Sequence, residues 1–184
     1  MDCFDWQIQS FFVCLQPRNR ILPKKLMELV LHKKSFQELA SDELYELLRI
    51  RSEVFVVEQN CVYQDLDNDD QKSIHLWLCK DEKVVALCRV CPAGTHMSEV
   101  SIGRVITTER GMGYGKRIMV EGIKAAKEYF DATVIDIEAQ EYAKGFYEQV
   151  GFRQSSDPFM LDGIPHIKMT YIMSHPEVFS SPAD

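Results

Sequence analysis

The sequence predicts an α/β domain with a mixed central sheet of about six to seven strands flanked by helices. Three observations carry this expectation. Short runs alternate apolar and polar residues with the period of a strand, and turn signals separate them. Longer segments carry apolar residues at helical spacing. A glycine-rich turn lies between a strand and a helix that leads to another strand, an order that requires a parallel crossover in the sheet.

The elements follow in order from Met27. Leu29, Leu31 and the run to Phe36 suggest a first strand. Ser41 reads as an N-cap, with Asp42 and Glu43 in the first turn, where acids suit the helix dipole. Leu44, Leu47, Leu48, Val54 and Phe55 continue that helix. An acidic loop, 59–72, comes next. Ile74, Leu76 and Leu78 alternate as in a strand, and Asp81-Glu82-Lys83 turns the chain into a second strand from Val84 to Cys91. A further strand is expected from Glu99 to Thr107, then the glycine loop and a helix to about Tyr129. Val134, Ile135 and Ile137 mark a strand. Tyr142 to Val150 reads as a short helix closed by Gly151, and Ile164 to Met173 as a last strand. Residues 1–26 lack sustained periodicity and read as an N-terminal extension or linker; 27–176 form the domain and 177–184 a C-terminal tail.

Composition narrows the class. The chain has 184 residues, 46% hydrophobic, with 28 acidic against 21 basic side chains and a net charge of −7. That is room for one domain with a real core. The acidic balance argues against a nucleic-acid surface and is compatible with a cationic substrate such as an amine. No stretch approaches the roughly 18 apolar residues of a membrane helix, so no membrane association is expected. The six cysteines accompany no secretory signal, which points to a reduced, cytoplasmic protein.

The most informative segment is Arg110-Gly111-Met112-Gly113-Tyr114-Gly115, directly after a strand and before a helix. Glycine permits sharp turns and close approach to a ligand. The first amides of a helix lack internal partners and carry the positive end of its dipole, so the segment suits a phosphate. Arg110, Lys116 and Arg117 add cations. A Walker A loop fails twice: Arg110 stands where its first glycine belongs, and Arg117 where its Ser or Thr belongs. In the dinucleotide fingerprint the third glycine comes one residue later than here. A purely structural glycine turn remains open on these residues alone.

Ile102-Gly103-Arg104-Val105-Ile106-Thr107, running into Arg110-x-x-Gly113-x-Gly115, resembles motif A of the GNAT acetyltransferases, and Phe146-Tyr147-x-x-x-Gly151-Phe152 resembles their second signature. The ElaA-like branch is matched more closely, by the segments Glu43 to Gln59, Cys61 to Asp67, Ala139-Gln140 and Asp162-Gly163-Ile164-Pro165-His166-Ile167-x-Met169. The resemblance spans about 29–172. It implies acetyl-CoA as co-substrate and direct transfer to an amine, of a small molecule or a protein. It places the pyrophosphate on the amides of Arg110, Gly111, Met112, Gly113, Tyr114, Gly115 and Lys116. It also implies a splayed strand pair, where backbone near Val105, Ile106, Ala139 and Gln140 meets the pantetheine arm and the acyl carbonyl. A homodimer is a superfamily expectation.

For the chemistry, Tyr147 resembles the family's general acid for the departing thiolate; its plain alternative is packing beside Phe146. The candidates for the base are His75, Glu58 and His166, in that order. Glu58 follows an apolar run where burial would raise its pKa, and imidazoles ordinarily titrate near neutrality. Glu99 is a further carboxylate to consider, and Gln59, Gln140 and Arg104 are orienting groups.

Other signals carry less. Cys88 and Cys91 sit three apart in a strand and point to opposite faces, so no metal site is expected there. The acidic run Asp65, Asp67, Asp69, Asp70 lacks the glycine and glutamate of a calcium loop and reads as a solvated loop at the rim of the amine site. Cys61 as a nucleophile is not needed for direct transfer. The reading is an N-acetyltransferase; the alternatives are an acyl-CoA-binding module without catalysis and a phosphate-binding protein unrelated to CoA.

Overall fold

A computed structural model describes residues 29–173. The expected extension, 1–26, and tail, 177–184, lie outside the described residues. The strands are β1 Leu29–Ser35, β2 Ile74–Lys80, β3 Lys83–Cys91, β4 Val100–Thr107, β5 Val134–Gln140, β6 Arg153–Gln154, β7 Phe159–Leu161 and β8 Ile164–Ile172. The helices are α1 Ser41–Arg51, α2 Tyr114–Phe130 and α3 Lys144–Glu148. One mixed sheet has the order β1-β2-β3-β4-β5-β8-β6, and β7 pairs with β8. Every pairing is antiparallel except β4 with β5. The predicted crossover therefore falls where the glycine loop and α2 connect those two strands.

The two strands the sequence did not indicate, β6 and β7, are two and three residues long. Such segments are too short for a periodicity to register. The expected N-cap at Ser41 is corrected to Ala40: the Glu43 carboxylate accepts the Ala40 amide at 2.9 Å, and Ser41 is already helical. The helix expected to continue through Phe55 widens after Arg51 into a π-helical turn over Ser52–Glu58, closed by a bond from the Gln59 amide to the Val54 carbonyl at 3.0 Å. Tyr142 belongs to a 3₁₀ turn, Glu141–Ala143, that leads into α3.

The core lies between the sheet and α2. Ile118, Met119, Ala125 and Ala126 on α2 meet Leu76, Cys88, Val90, Ile102 and Ile135 from four adjacent strands. The opposite sheet face carries α1, through Leu47 and Ile50 against Trp77, Leu87 and Ile106. Cys88 belongs to the first face, while the Cys91 sulfur accepts the Ser73 hydroxyl on the other side of the strand, as strand alternation requires.

Candidate active site

Two local features open the sheet. The parallel ladder of β4 and β5 contains two residue pairs, Val100 with Ile135 and Ser101 with Asp136, after which the strands part. The cause is a bulge. From Leu87 to Arg89 on β3 is two residues, but their partners on β4, Ile106 and Gly103, are three apart. An extra residue bends the bulged strand. Arg104 sits in it with φ 53°, a left-handed conformation costing a non-glycine residue about 1–2 kcal/mol. Its guanidinium is held by Asp65 at 2.7 Å and Asp67 at 3.0 Å. The wedge between the strands belongs to a cleft of about 780 Å³ that reaches from the glycine loop to His166.

The loop closes one end. Gly111 and Gly113 have φ of 77° and 78°, and nothing lies within 4 Å of where their Cβ atoms would be, so their backbone faces open space. The first bond of α2 runs from the Arg117 amide to the Gly113 carbonyl at 3.1 Å. The amides of Tyr114, Gly115 and Lys116 thus lie before the helical ladder begins, as at any helix start. Gly115 has a different role: a Cβ there would come within 3.3 Å of both the Phe146 ring and Thr107. Its absence lets α2 pack directly against α3 and the end of β4. Arg110 and Lys116 line the cleft, and Arg110 is paired with Glu58 at 3.1 Å. Met112 points its side chain to solvent. Val105, Ile106 and Gln140 line the cleft, whereas Ala139 lies in the core, paired with Ile167 on β8, and is not part of the lining. Gln140 donates to Gln59 at 3.2 Å.

Tyr147 lines the cleft from α3, edge-on to Phe146 and Phe152. Burial raises its phenol above the ordinary value, with smaller contributions from Tyr142 and Cys88. Such a phenol keeps its proton at neutral pH and has one to give.

The structure separates the candidate bases. His75 is buried away from the cleft, where its Nε2 lies 3.0 Å from the Asp70 carbonyl; burial lowers its pKa. It is a structural histidine. Glu58, expected to be buried, is exposed on the π-helical turn and bound to Arg110. Glu99 is exposed and precedes β4. His166 alone of these lines the cleft. Its Nδ1 lies 2.8 Å from the Ile164 carbonyl, which can only accept, so Nδ1 carries the hydrogen and a neutral ring leaves Nε2 with its lone pair.

The carboxylates of Asp65, Asp67 and Asp70 are not solvated, and this corrects the sequence expectation. Arg51 on α1 binds Asp65 at 2.9 Å and Asp70 at 2.7 Å. Arg89 on β3 binds Asp67 at 2.7 Å and Asp70 at 3.0 Å. With Arg104, three guanidiniums meet three carboxylates, and Tyr63 donates to Asp65 at 2.8 Å. Burial works to raise the Asp67 and Asp70 carboxyls, but the arginines outweigh it and hold both below the usual carboxylate range. The network fastens the loop to the sheet as a cleft wall. Asp67, Asp69 and His96 bring ligand atoms within 4.8 Å of one another, but Asp67 already faces two guanidiniums. Cys61 lines the cleft with its thiol 3.6 Å from the Asp162 carbonyl.

Residues 33–173 match the acetyltransferase (GNAT) domain. The chain belongs to the GNAT family. Its relatives include UPF0039 protein C11D3.02c of Schizosaccharomyces pombe, 39% identical over 74% of this chain and 92% of that one. The crystal structure of Escherichia coli ElaA is 33% identical with a TM-score of 0.73, covering 78% of this chain and 99% of that one. An acyl-CoA N-acyltransferase from Pseudomonas aeruginosa gives 34% and 0.72 over the same shares. The ElaA-like resemblance of the sequence is thereby confirmed, and membership implies an acyl-CoA co-substrate. The features described here fit that group: an anion-suited helix start on an open glycine backbone, and a wedge between strands with unpaired edges. Among the described residues no helix is long and apolar enough to cross a membrane.

Sequence reasoning missed several residues of the GNAT cleft. Glu138, His96 and Ser101 all line it. The signal for Glu138 was available: Ile135, Ile137 and Ala139 alternate with Asp136, Glu138 and Gln140, which puts the polar three on one face of β5. Ser101 likewise alternates with Val100 and Ile102 on β4, whereas His96 had no signal, since it stands in the β3–β4 loop.

Proposed function

We propose that the protein is an N-acetyltransferase that uses acetyl-CoA to acetylate a primary amine by direct transfer. The observation that carries this reading is the cleft itself, with a phosphate-suited helix start at one end, a proton-bearing phenol in its wall and an imidazole lone pair at the other end. The amides of Gly111 to Lys116, with Arg110 and Lys116, hold the pyrophosphate. Backbone near Val105, Ile106 and Ala139, on the strands that part, bonds the pantetheine arm and orients the acyl carbonyl, and Gln140 lies beside it. The bound co-substrate supplies a thioester carbonyl as the electrophile.

His166 Nε2 takes a proton from the ammonium of the acceptor, directly or through one water, which frees the nitrogen lone pair. As the C–N bond forms and the C–S bond breaks, Tyr147 gives its proton to the leaving sulfur. The nitrogen gives up its second proton as the amide forms, and that proton returns through water to the Tyr147 oxygen, so the nitrogen loses two protons, the sulfur gains one and His166 holds the other; no covalent intermediate on the protein is required. Backbone N–H groups at the wedge stabilise charge that develops on the carbonyl oxygen. The test is thiol release from acetyl-CoA across a panel of amines. Release that depends on an amine supports the reading; CoA binding without release by any amine would favour a non-catalytic acyl-CoA-binding module.

A further inference from the structure

The cleft continues past the wedge toward the start of β4, away from the glycine loop. Glu138, His96 and Ser101 wall this end, together with Asp67. Its charge is opposite to that of the loop end, where Arg110 and Lys116 stand. Asp67 is already neutralised by Arg89 and Arg104. Glu138 is not. Its side chain is 30% exposed, and its ion-pair partner is His96 Nε2 at 3.4 Å, which is charged only when protonated. Lys168, its neighbour across the β5–β8 ladder, is taken by Asp136 at 2.7 Å. The bond with His96 lowers the Glu138 carboxyl, against the effect of burial, and His166 and Lys168 add to the lowering. A half-buried carboxylate thus faces the cleft without a lysine or arginine bound to it among the described residues.

A second observation is independent of charge. Ser101 lines the same cleft at 2% exposure, and its buried hydroxyl has no hydrogen-bond partner among the described residues. Buried hydroxyls are ordinarily paired. A ligand with N–H donors that fills this end would complete both groups.

We propose that this end of the cleft is a cation subsite, with Glu138 as its anionic wall and Ser101 as a hydrogen-bond acceptor, and that the acceptor substrate is a primary amine carrying a second positively charged group. An ammonium paired with a carboxylate holds its proton more tightly. That opposes the deprotonation the reacting nitrogen needs, so Glu138 suits the cation that does not react. The identity of the bound molecule as a substrate rests on the acyl-transfer reading; the binding does not.

The experiment uses three probes of similar length: diaminobutane, butylamine and aminobutanoate. Binding to the CoA-loaded protein is measured by calorimetry, and turnover by thiol release from acetyl-CoA. The diamine is expected to bind and react about tenfold better than butylamine, the factor that one well-formed ion pair supplies. Aminobutanoate should be the poorest. Glu138→Gln should bring the diamine-to-monoamine ratio close to one, a readout that a general loss of stability would not move. Equal wild-type affinity for diamine and butylamine, no binding of the diamine, or a preference for aminobutanoate overturns the subsite, and these comparisons hold even if the variant does not fold. Selective diamine binding without thiol release keeps the subsite and overturns the acyl-transfer reading. Release from butylamine as fast as from the diamine does the reverse.

Discussion

Replacing Arg51 by alanine tests the wall of the cleft. The Arg51 side chain is 2% exposed and makes three short contacts: Asp65 Oδ2 at 2.9 Å, Asp70 Oδ1 at 2.7 Å and the Asp65 carbonyl at 3.0 Å. Removing one member of a buried charge network typically costs about 3–5 kcal/mol, because the partners stay buried. Here each carboxylate keeps a second guanidinium, Arg104 for Asp65 and Arg89 for Asp70. The lower end, about 3 kcal/mol, is therefore expected. For a domain of this size that lowers Tm by about 6–12 °C. Arg49→Ala is the control: its partners Glu46 and Glu53 are exposed surface groups, so the loss should be about 0.5 kcal/mol or less. Thermal unfolding followed by circular dichroism reads both. The network also sets an acid limb. Asp67 and Asp70 have depressed pKa values when folded, so their contribution is present above the ordinary carboxylate value and is lost as pH falls through the folded values. With Arg51 gone, the Asp70 value relaxes upward, so its share of the acid loss shrinks and is complete at higher pH. An Arg51→Ala protein within 2 °C of wild type, matching the Arg49 control, would refute the claim that this network holds the loop.

The other predictions concern chemistry. Gly113→Asp should abolish CoA binding by calorimetry, because it forces a side chain into a φ of 78° and adds negative charge at the proposed pyrophosphate cradle; wild-type affinity would sink the cradle assignment. Tyr147→Phe should lower kcat by about 10²-fold, the lower range for a general acid, with little change in CoA affinity; an unaltered rate in a chemistry-limited assay removes the phenol from the mechanism. His166→Gln should lower kcat/KM by a similar factor, about 10²-fold, with CoA affinity little changed. His75→Gln, by contrast, should act on stability, through the loss of a buried contact to Asp70, and leave kcat/KM unchanged.

The parts of the fold with long periodicity were legible. β2, β3, β5 and α2 lie where alternation or helical spacing put them, because those patterns report one buried face over many residues. The glycine turn was legible because a strand, three glycines and a helix occur in immediate succession. The acidic loop was misread for a definite reason. Asp65, Asp67 and Asp70 look solvated when read as a run, since their counter-charges stand 14 to 39 positions away in sequence. Arg89 in an otherwise apolar strand was the clue, because a guanidinium in a core strand demands carboxylates from elsewhere. The choice among His75, Glu58 and His166 was not legible. Strand alternation says that a side chain faces one side of a sheet, but not which side holds the cleft.

The splay of β4 and β5 has a consequence for how the molecule is held together. With two ladder pairs joining them, the sheet amounts to two panels, 29–107 and 134–172, seamed at one corner and backed by α2. Unpaired strand edges on an outer surface recruit foreign strands. Here the edges are turned inward and face each other. A guest suited to that slot is a slim chain with amide groups like those of a peptide, which describes the pantetheine arm. Such a guest would serve as a stitch across the seam as well as a reagent. The amides of β4 beyond Ser101 should then exchange with deuterium faster in the free protein than in the CoA complex, and the two panels should unfold together more sharply once the stitch is in place.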